Sequence, residues 1–354
     1  MKYISSYDIF GEFDINEGDT ILVSSDMSSI VHNALKNKEN FDFHKFLDSL
    51  KKRVTDKGNI LITAYNWDFC KNLSFSYKQT KSETGILGNY APNFGFKRTK
   101  HPIYSHYVYG ANSEEFLSIE DMDAFGKNSI FDLMYKNNVK NLCLGLPFDR
   151  AYTFIHYFEQ KFGVPYRYIK FFHGQYIDEN DCIRDAVYSM YVKKRETGAY
   201  FHDSFLSEQL LNSGIGKKYV INGLNHYIYD VVKSEELIKT DIMFNDSNSF
   251  MKFNEIYEPN YLSSEYIDNF VETILMKADE SELIGLLKKY YFGEIEIKNS
   301  SSAELVISGI SKKTNKIRFN LVKDKKYLIS IINFIKDRYN DVVRSNTYYM
   351  KFDA

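Results

Sequence analysis

The pattern that most restricts this chain is an alternation of short β-branched runs with stretches of helical periodicity in its first half. Thr20-Ile21-Leu22-Val23-Ser24 reads as a buried strand, and after a polar loop Ile30 to Leu35 begins a helix-like apolar pattern. Phe43, Phe46, Leu47, Leu50 and Val54 then fall on one face of a helix, which Lys57-Gly58 stops. Asn59-Ile60-Leu61-Ile62-Thr63 is a second strand, and Val139 to Gly145, preceded by the helix-like Ile130 to Tyr135, is a third. Strands that are apolar throughout and joined by helices are covered on both faces. The chain is therefore expected to be α/β, with a partly parallel, mixed central sheet flanked by helices on both sides.

Ser82 to Gly110, rich in Gly, Asn, Pro and His, is long for a connection, and long ordered loops usually carry function. After Lys252 the character changes: a polar stretch with Pro259 leads into a helical pattern from Glu265 to Tyr291. Three short strands follow, Glu294 to Ile297, Leu305 to Ile307 and Lys316 to Leu321, then a helix from Lys325 to Arg338. This divides the chain into a main domain over 1–255 and a smaller α+β appendage of unknown role over 256–354.

Charge excludes some classes of partner. With 45 basic and 47 acidic residues mixed along the chain, no long-range field draws it to nucleic acid or to an acidic membrane. The N-terminus lacks an apolar signal core, and no apolar run approaches the ~20 residues that span a bilayer. Cys70, Cys143 and Cys182 are scattered and form no metal or redox pair, so a cytoplasmic protein without a metal is expected. A homo-oligomer is left open.

Thr153-Phe154-Ile155-His156-Tyr157-Phe158-Glu159 places His156 and Glu159 three residues apart, on one face of a helix. A carboxylate beside an imidazole fixes the ring tautomer and stabilises the imidazolium, as a general base requires. Such pairs also occur on ordinary helices, where the histidine is packed and hydrogen-bonded, so the spacing alone does not make a site.

The surrounding motifs are more specific. Leu144 to Arg150, Thr153 to Glu159 and Val164-Pro165-Tyr166-Arg167 together resemble the core motif of the aminoglycoside 3-N-acetyltransferase family, whose catalytic histidine sits in such an H-x-x-E. The resemblance extends upstream through Ala124 to Ser129, Arg98 to Ser105, Glu83 to Gly88 and Gly18 to Ser28, in order over residues 18 to 175. It implies an acyl-CoA-dependent N-acyltransferase in which His156 deprotonates an acceptor amine and Glu159 holds His156. It also implies that Ser24, Ser25, Ser28 and Ser29 present polar groups to coenzyme A at a helix start, an arrangement equally readable as an N-cap cluster. Thr84 and Gly85, with His101 and Ser105, are expected to line the cleft, and Arg98 or Lys97 to meet a phosphate. Direct transfer is expected, because Cys143 lies in a buried strand and Cys182 in a charged segment, neither beside a histidine.

The chain departs from the family where aminoglycoside-modifying members carry a glutamate and this chain has Gly88-Asn89. That difference, an extra residue before His156, and Thr153 to Tyr157 followed by Pro165-Tyr166-Arg167-Tyr168 are similar to the branch that acylates nucleotide-linked amino-deoxysugars for bacterial surface polysaccharide, whose diphosphate Arg167, Lys170 and Arg184 are expected to meet. Asn89, His101, Ser105, Thr153, Arg167 and Lys170 are the expected acceptor contacts. An aminoglycoside acceptor, as in antibiotic resistance, is the alternative, and a non-catalytic protein binding nucleotide sugar or acyl-CoA is a second one.

Overall fold

The computed structural model describes residues 2–253, except 121, 195, 196 and 204, together with three strands between 295 and 321. In chain order come β1 (Thr20–Ser25), α1 (Met27–Lys36), α2 (Phe43–Val54), β2 (Asn59–Thr63), β3 (Phe75–Ser76), α3 (Ile86–Tyr90), β4 (Lys97–Arg98), β5 (His106–Gly110) and α4 (Ser113–Leu117). Next are α5 (Ile130–Lys136), β6 (Lys140–Leu144), α6 (Phe148–Ala151), α7 (Phe154–Phe162), β7 (Arg167–Ile177) and β8 (Ile183–Lys193). β9 (Tyr200–Phe201), α8 (Leu206–Asn212), β10 (Gly216–Ile221), β11 (Leu224–Asp230), α9 (Val231–Phe244) and β12 (Met251–Lys252) follow.

The large sheet has the order β10-β11-β6-β1-β2-β5-β4. β1 runs parallel to both β2 and β6, and the outer strands pair antiparallel, so the sheet is mixed, as expected. Alternate residues feed two cores. Ile21, Val23, Ile60, Ile62, Leu142 and Leu144 pack with Phe46, Leu47, Leu50 and Val54 of α2 on one face. Leu22, Leu61, Cys143 and Tyr229 pack with Phe131, Phe154, Phe158 and Ile238 on the other. Each such side chain contributes roughly 1.5–3 kcal/mol when fully buried. Aspartates set the helix starts: Asp26 accepts from the Ser28 N–H, and Asp42 from His44 and Lys45.

Two parts of the architecture differ from the sequence expectation. The Ser82 to Gly110 segment is not one long loop: it holds α3, β4 and β5, and β5 pairs with β2 through Thr63 and His106. Its polar and aromatic residues hid a strand that lies near the sheet edge. The β7–β8 ribbon, paired from Arg167↔Lys193 to Ile177↔Ile183, carries no aliphatic run. The β10–β11 hairpin did have a signal, Asn222-Gly223, where φ values of 51° and 80° suit a two-residue turn.

Beyond residue 253, β13 (Ile295–Asn299), β14 (Leu305–Gly309) and β15 (Ile317–Leu321) form an antiparallel sheet where three strands were expected. The expected helices over 265–291 and 325–338, and the division at 255/256, lie outside the described residues. Among the described residues no helix is long and apolar enough to cross a membrane.

The topology also positions a site. From β1 the chain crosses to β2 on one side and returns as β6 on the other, so the connections diverge at the carboxyl ends of β1 and β6. A crevice opens at such a switch point.

Candidate active site

A cleft of about 460 Å³ occupies that position. Ser24 and Ser25 end β1 and Thr63 ends β2, giving a floor of small polar residues. After β6, Leu146, Asp149 and Arg150 line the cleft, α7 and its start bring Thr153, Ile155 and His156, and β7 and β8 bring Arg167, Met190, Tyr191, Val192 and Lys193. Tyr65, Trp67, Thr84, Tyr104 and Phe201 complete the wall.

His156 lies in the first turn of α7, and its side chain is 24% exposed. Its Nδ1 is 2.7 Å from Oε2 of Glu159, which is wholly buried. A carboxylate can only accept, so Nδ1 carries the proton and Nε2 is left as the basic nitrogen. Arg167 Nε approaches the same carboxylate oxygen at 2.8 Å, and Arg167 donates through Nη1 to the Tyr191 carbonyl at 2.9 Å. Arg167 Nη2 also lies 3.1 Å from His156 Nδ1. With Nδ1–H donated to Glu159, this last contact is an approach of charge and not a hydrogen bond. The edge of Phe125 covers the imidazole at 5.6 Å between ring centroids.

Electrostatics follow from these contacts. Burial, reinforced by the Arg167 cation and opposed by Glu159, pushes the His156 pKa down, so the ring is neutral. Burial alone would raise Glu159, but Arg167 and His156 overcome it and hold the carboxyl below its usual range. Arg167 is raised in turn, because Glu159 outweighs its burial.

Of the residues singled out in the sequence, Ser24, Ser25, Thr84, Thr153, His156 and Arg167 line the cleft, with Glu159 directly behind His156. Several others are engaged elsewhere. The Ser28 and Ser29 hydroxyls both bind Asp26, so they form the N-cap cluster of α1. Gly85 is a spacer: its φ of 116° and the 3.2 Å between a Cβ placed there and the Ser25 carbonyl leave no room for a side chain. Asn89 clamps Ser82 through its N–H and carbonyl. Arg98 is buried and donates to Ser105 and to the Tyr77, Thr80 and Ala64 carbonyls, which leaves no face for a phosphate. Ser105 Oγ is held by the Ala64 carbonyl, and His101 Nδ1 accepts from the Ile103 and Tyr104 N–H groups. Lys170 is exposed on β7, over the Phe172 ring. Thr84 does reach the cleft, but its N–H is already given to Ser82 Oγ.

The sequence reading missed Arg150, Lys193 and the aromatic wall of Tyr65, Trp67 and Tyr104. Arg150 sits within a quoted motif. Lys193 ends an unrecognised strand and had no local signal.

An α/β sheet whose switch-point cleft carries a carboxylate-held neutral histidine has the frame of a site for proton transfer. The sequence profile described as aminoglycoside 3-N-acetyltransferase matches residues 22–222. The chain belongs to that family and is an acyl-CoA-dependent N-acyltransferase, which sets aside the non-catalytic reading. Solved structures share the fold. Aminoglycoside acetyltransferase AAC(3)-Xa aligns with a TM-score of 0.55 at 17% identity, over 66% of this chain and 89% of that one. AAC-IIIb, solved as a binary complex with CoASH, gives 0.57 at 17% over 68% and 97%. YokD from Bacillus subtilis gives 0.55 at 17% over 70% and 96%. No curated protein matches the chain in sequence.

Proposed function

We propose that the chain transfers an acyl group from acyl-CoA directly to a primary amine of an aminoglycoside-type amino sugar, with His156 as general base. The observation that carries this is the 2.7 Å contact of His156 Nδ1 with buried Glu159 at the cleft, which leaves Nε2 to act. His156 Nε2 takes a proton from the amine as the amine nitrogen adds to the thioester carbonyl carbon. It returns that proton to the departing sulfur as the C–S bond breaks, so an amide and a free thiol result. Ser24, Ser25, Thr63 and the Thr84-Gly85 turn suit the pantetheine arm, because their small side chains leave width.

The family description and the aminoglycoside acetyltransferases among the solved structures support the acceptor class. One observation favours a second reading, an amine carried on an anionic group such as a nucleotide-linked amino-deoxysugar. Arg150 and Lys193 border the cleft with no ion pair among the described residues, and Asp149 is the one carboxylate among its described lining residues. A polycationic acceptor would meet net repulsion there. Thiol release from acetyl-CoA, measured with an aminoglycoside and with a nucleotide-linked amino-deoxysugar, decides between them. Release dependent on either amine is expected, faster with the aminoglycoside; faster release with the nucleotide sugar selects the second reading, and no release with both overturns the function.

A further inference from the structure

We propose that Arg167 is a positioning residue for the general base: it balances the charge of Glu159, so that His156 keeps its Nδ1 proton on the carboxylate and remains a neutral imidazole with Nε2 open. The kinetic part of this inference rests on the acyl-transfer reading; the titration part does not.

The geometry gives three simultaneous contacts. Arg167 lies 2.8 Å from the Glu159 carboxylate, 3.1 Å from His156 Nδ1, and is fastened at 2.9 Å to the Tyr191 carbonyl on β8. A side chain so enclosed, 8% exposed, is not available to an acceptor phosphate, although the sequence suggested that role. Lysine, a point charge, cannot make the same forked contacts. Without Arg167, Glu159 would be a buried carboxylate with no cation beside it, left to His156 and the Tyr166 hydroxyl. The low-energy responses are to hold His156 as an imidazolium or to take a proton itself. The first removes the base, and the second loosens it.

The charged groups around the ring are few. Glu159 acts from α7 itself, Arg167 from β7 and Lys193 from β8. Tyr104 and Tyr166, packed near Arg167 and Glu159, are pushed up by burial, Tyr104 to about 12, and stay neutral. Phe125 brings no charge. Arg167 and Lys193 thus offset the one carboxylate that favours imidazolium.

The test is titration of His156 by NMR in the full chain labelled at histidine nitrogen, alongside the pH profile of kcat/KM. In Arg167→Met the titration and the acid limb both move upward, by about one pH unit or more, with KM for acyl-CoA little changed. Arg167→Lys moves them less. Glu159→Gln, with Arg167 unopposed, moves the His156 titration below wild type, and the double variant Glu159→Gln/Arg167→Met returns it toward wild type, as only charge balance predicts. An unshifted titration in Arg167→Met overturns the proposal. If that variant does not fold, the absence of a downward shift in Glu159→Gln overturns it equally. Failure of acyl transfer in the wild type sinks the functional reading and leaves the titration arm standing.

Discussion

Two buried arginines with the same sequence expectation do different work. Arg98, 2% exposed, spends its guanidinium on Ser105 Oγ at 2.9 Å and on the carbonyls of Tyr77, Thr80 and Ala64, and lies 4.7 Å over the Phe75 ring. No carboxylate is among these partners, and burial lowers its pKa. Arg167 meets one carbonyl, one carboxylate and the edge of an imidazole. The histidines divide in the same way. His101 and His106, beside Arg98 in the chain, are pushed by burial to about 3, while His156 is held between opposing charges. A cation satisfied by neutral carbonyls braces loops; one satisfied by a carboxylate that also holds a titratable ring sets a charge state.

The sharpest way to break this comparison is to remove the base. His156→Asn is expected to lower kcat by roughly 10²-fold or more while the thermal midpoint stays near wild type; unchanged turnover would remove His156 from the mechanism. Arg98→Met is expected to act on stability, since it takes the guanidinium donor from the Ser105 hydroxyl and from the Tyr77 and Thr80 carbonyls, while the Ala64 carbonyl keeps Ser105 Oγ. A loss of about 3 kcal/mol in urea unfolding is expected, with activity per folded molecule retained. If Arg98→Met instead shifts the pH profile as Arg167→Met does, the distinction fails.

Acidification separates the two groups by another route. The unfolded chain protonates His101 and His106 near the usual 6.5, and the folded chain does so only near 3. Between these values the unfolded state binds more protons, so stability falls as pH falls, by about 1.4 kcal/mol per histidine per pH unit. Glu159 works in the same direction at lower pH: its depressed carboxyl contributes stability above the ordinary glutamate range that is lost as pH drops through the folded value. Replacing His106 by Phe should flatten the slope of unfolding free energy against pH between 6 and 4. A slope unchanged from wild type would mean that His106 is protonated in the fold.

The sequence made the frame of this site legible, and less of its wall. β1, α2, β2, α5 and β6 were readable because aliphatic runs buried on both faces, and one apolar helical stripe, leave few alternatives. His156 and Glu159 were legible because they stand in an ordered set of family-like motifs; their three-residue spacing on a helix explains only why they meet. Arg167 was picked for an anion and met one, but the anion is Glu159, since only the return of β7 toward α7 brings the two together. Ser28, Ser29, Asn89, Arg98, His101 and Ser105 looked functional because polar side chains that brace loops and helix starts have the same composition as those that bind ligands. What separates them is the partner, and partners are set by tertiary structure.

The smallest predicted effect also tests the comparison most finely. Lys193 borders the cleft, has no ion pair among the described residues, and has its pKa lowered by burial and by Arg167. It pushes His156 the same way as Arg167 does, but from greater exposure and without touching Glu159. Lys193→Ala should therefore raise the acid limb less than Arg167→Met does. Its binding effect depends on the acceptor. An exposed charge contact is worth about 0.2–1 kcal/mol, so KM for an anionic amino-sugar acceptor should rise up to about five-fold, while KM for an aminoglycoside should fall slightly as repulsion is relieved. If both KM values stay constant while the acid limb moves, Lys193 belongs with Arg167 as a modulator of the base. If both KM values move and the pH profile does not, its charge acts on the acceptor alone.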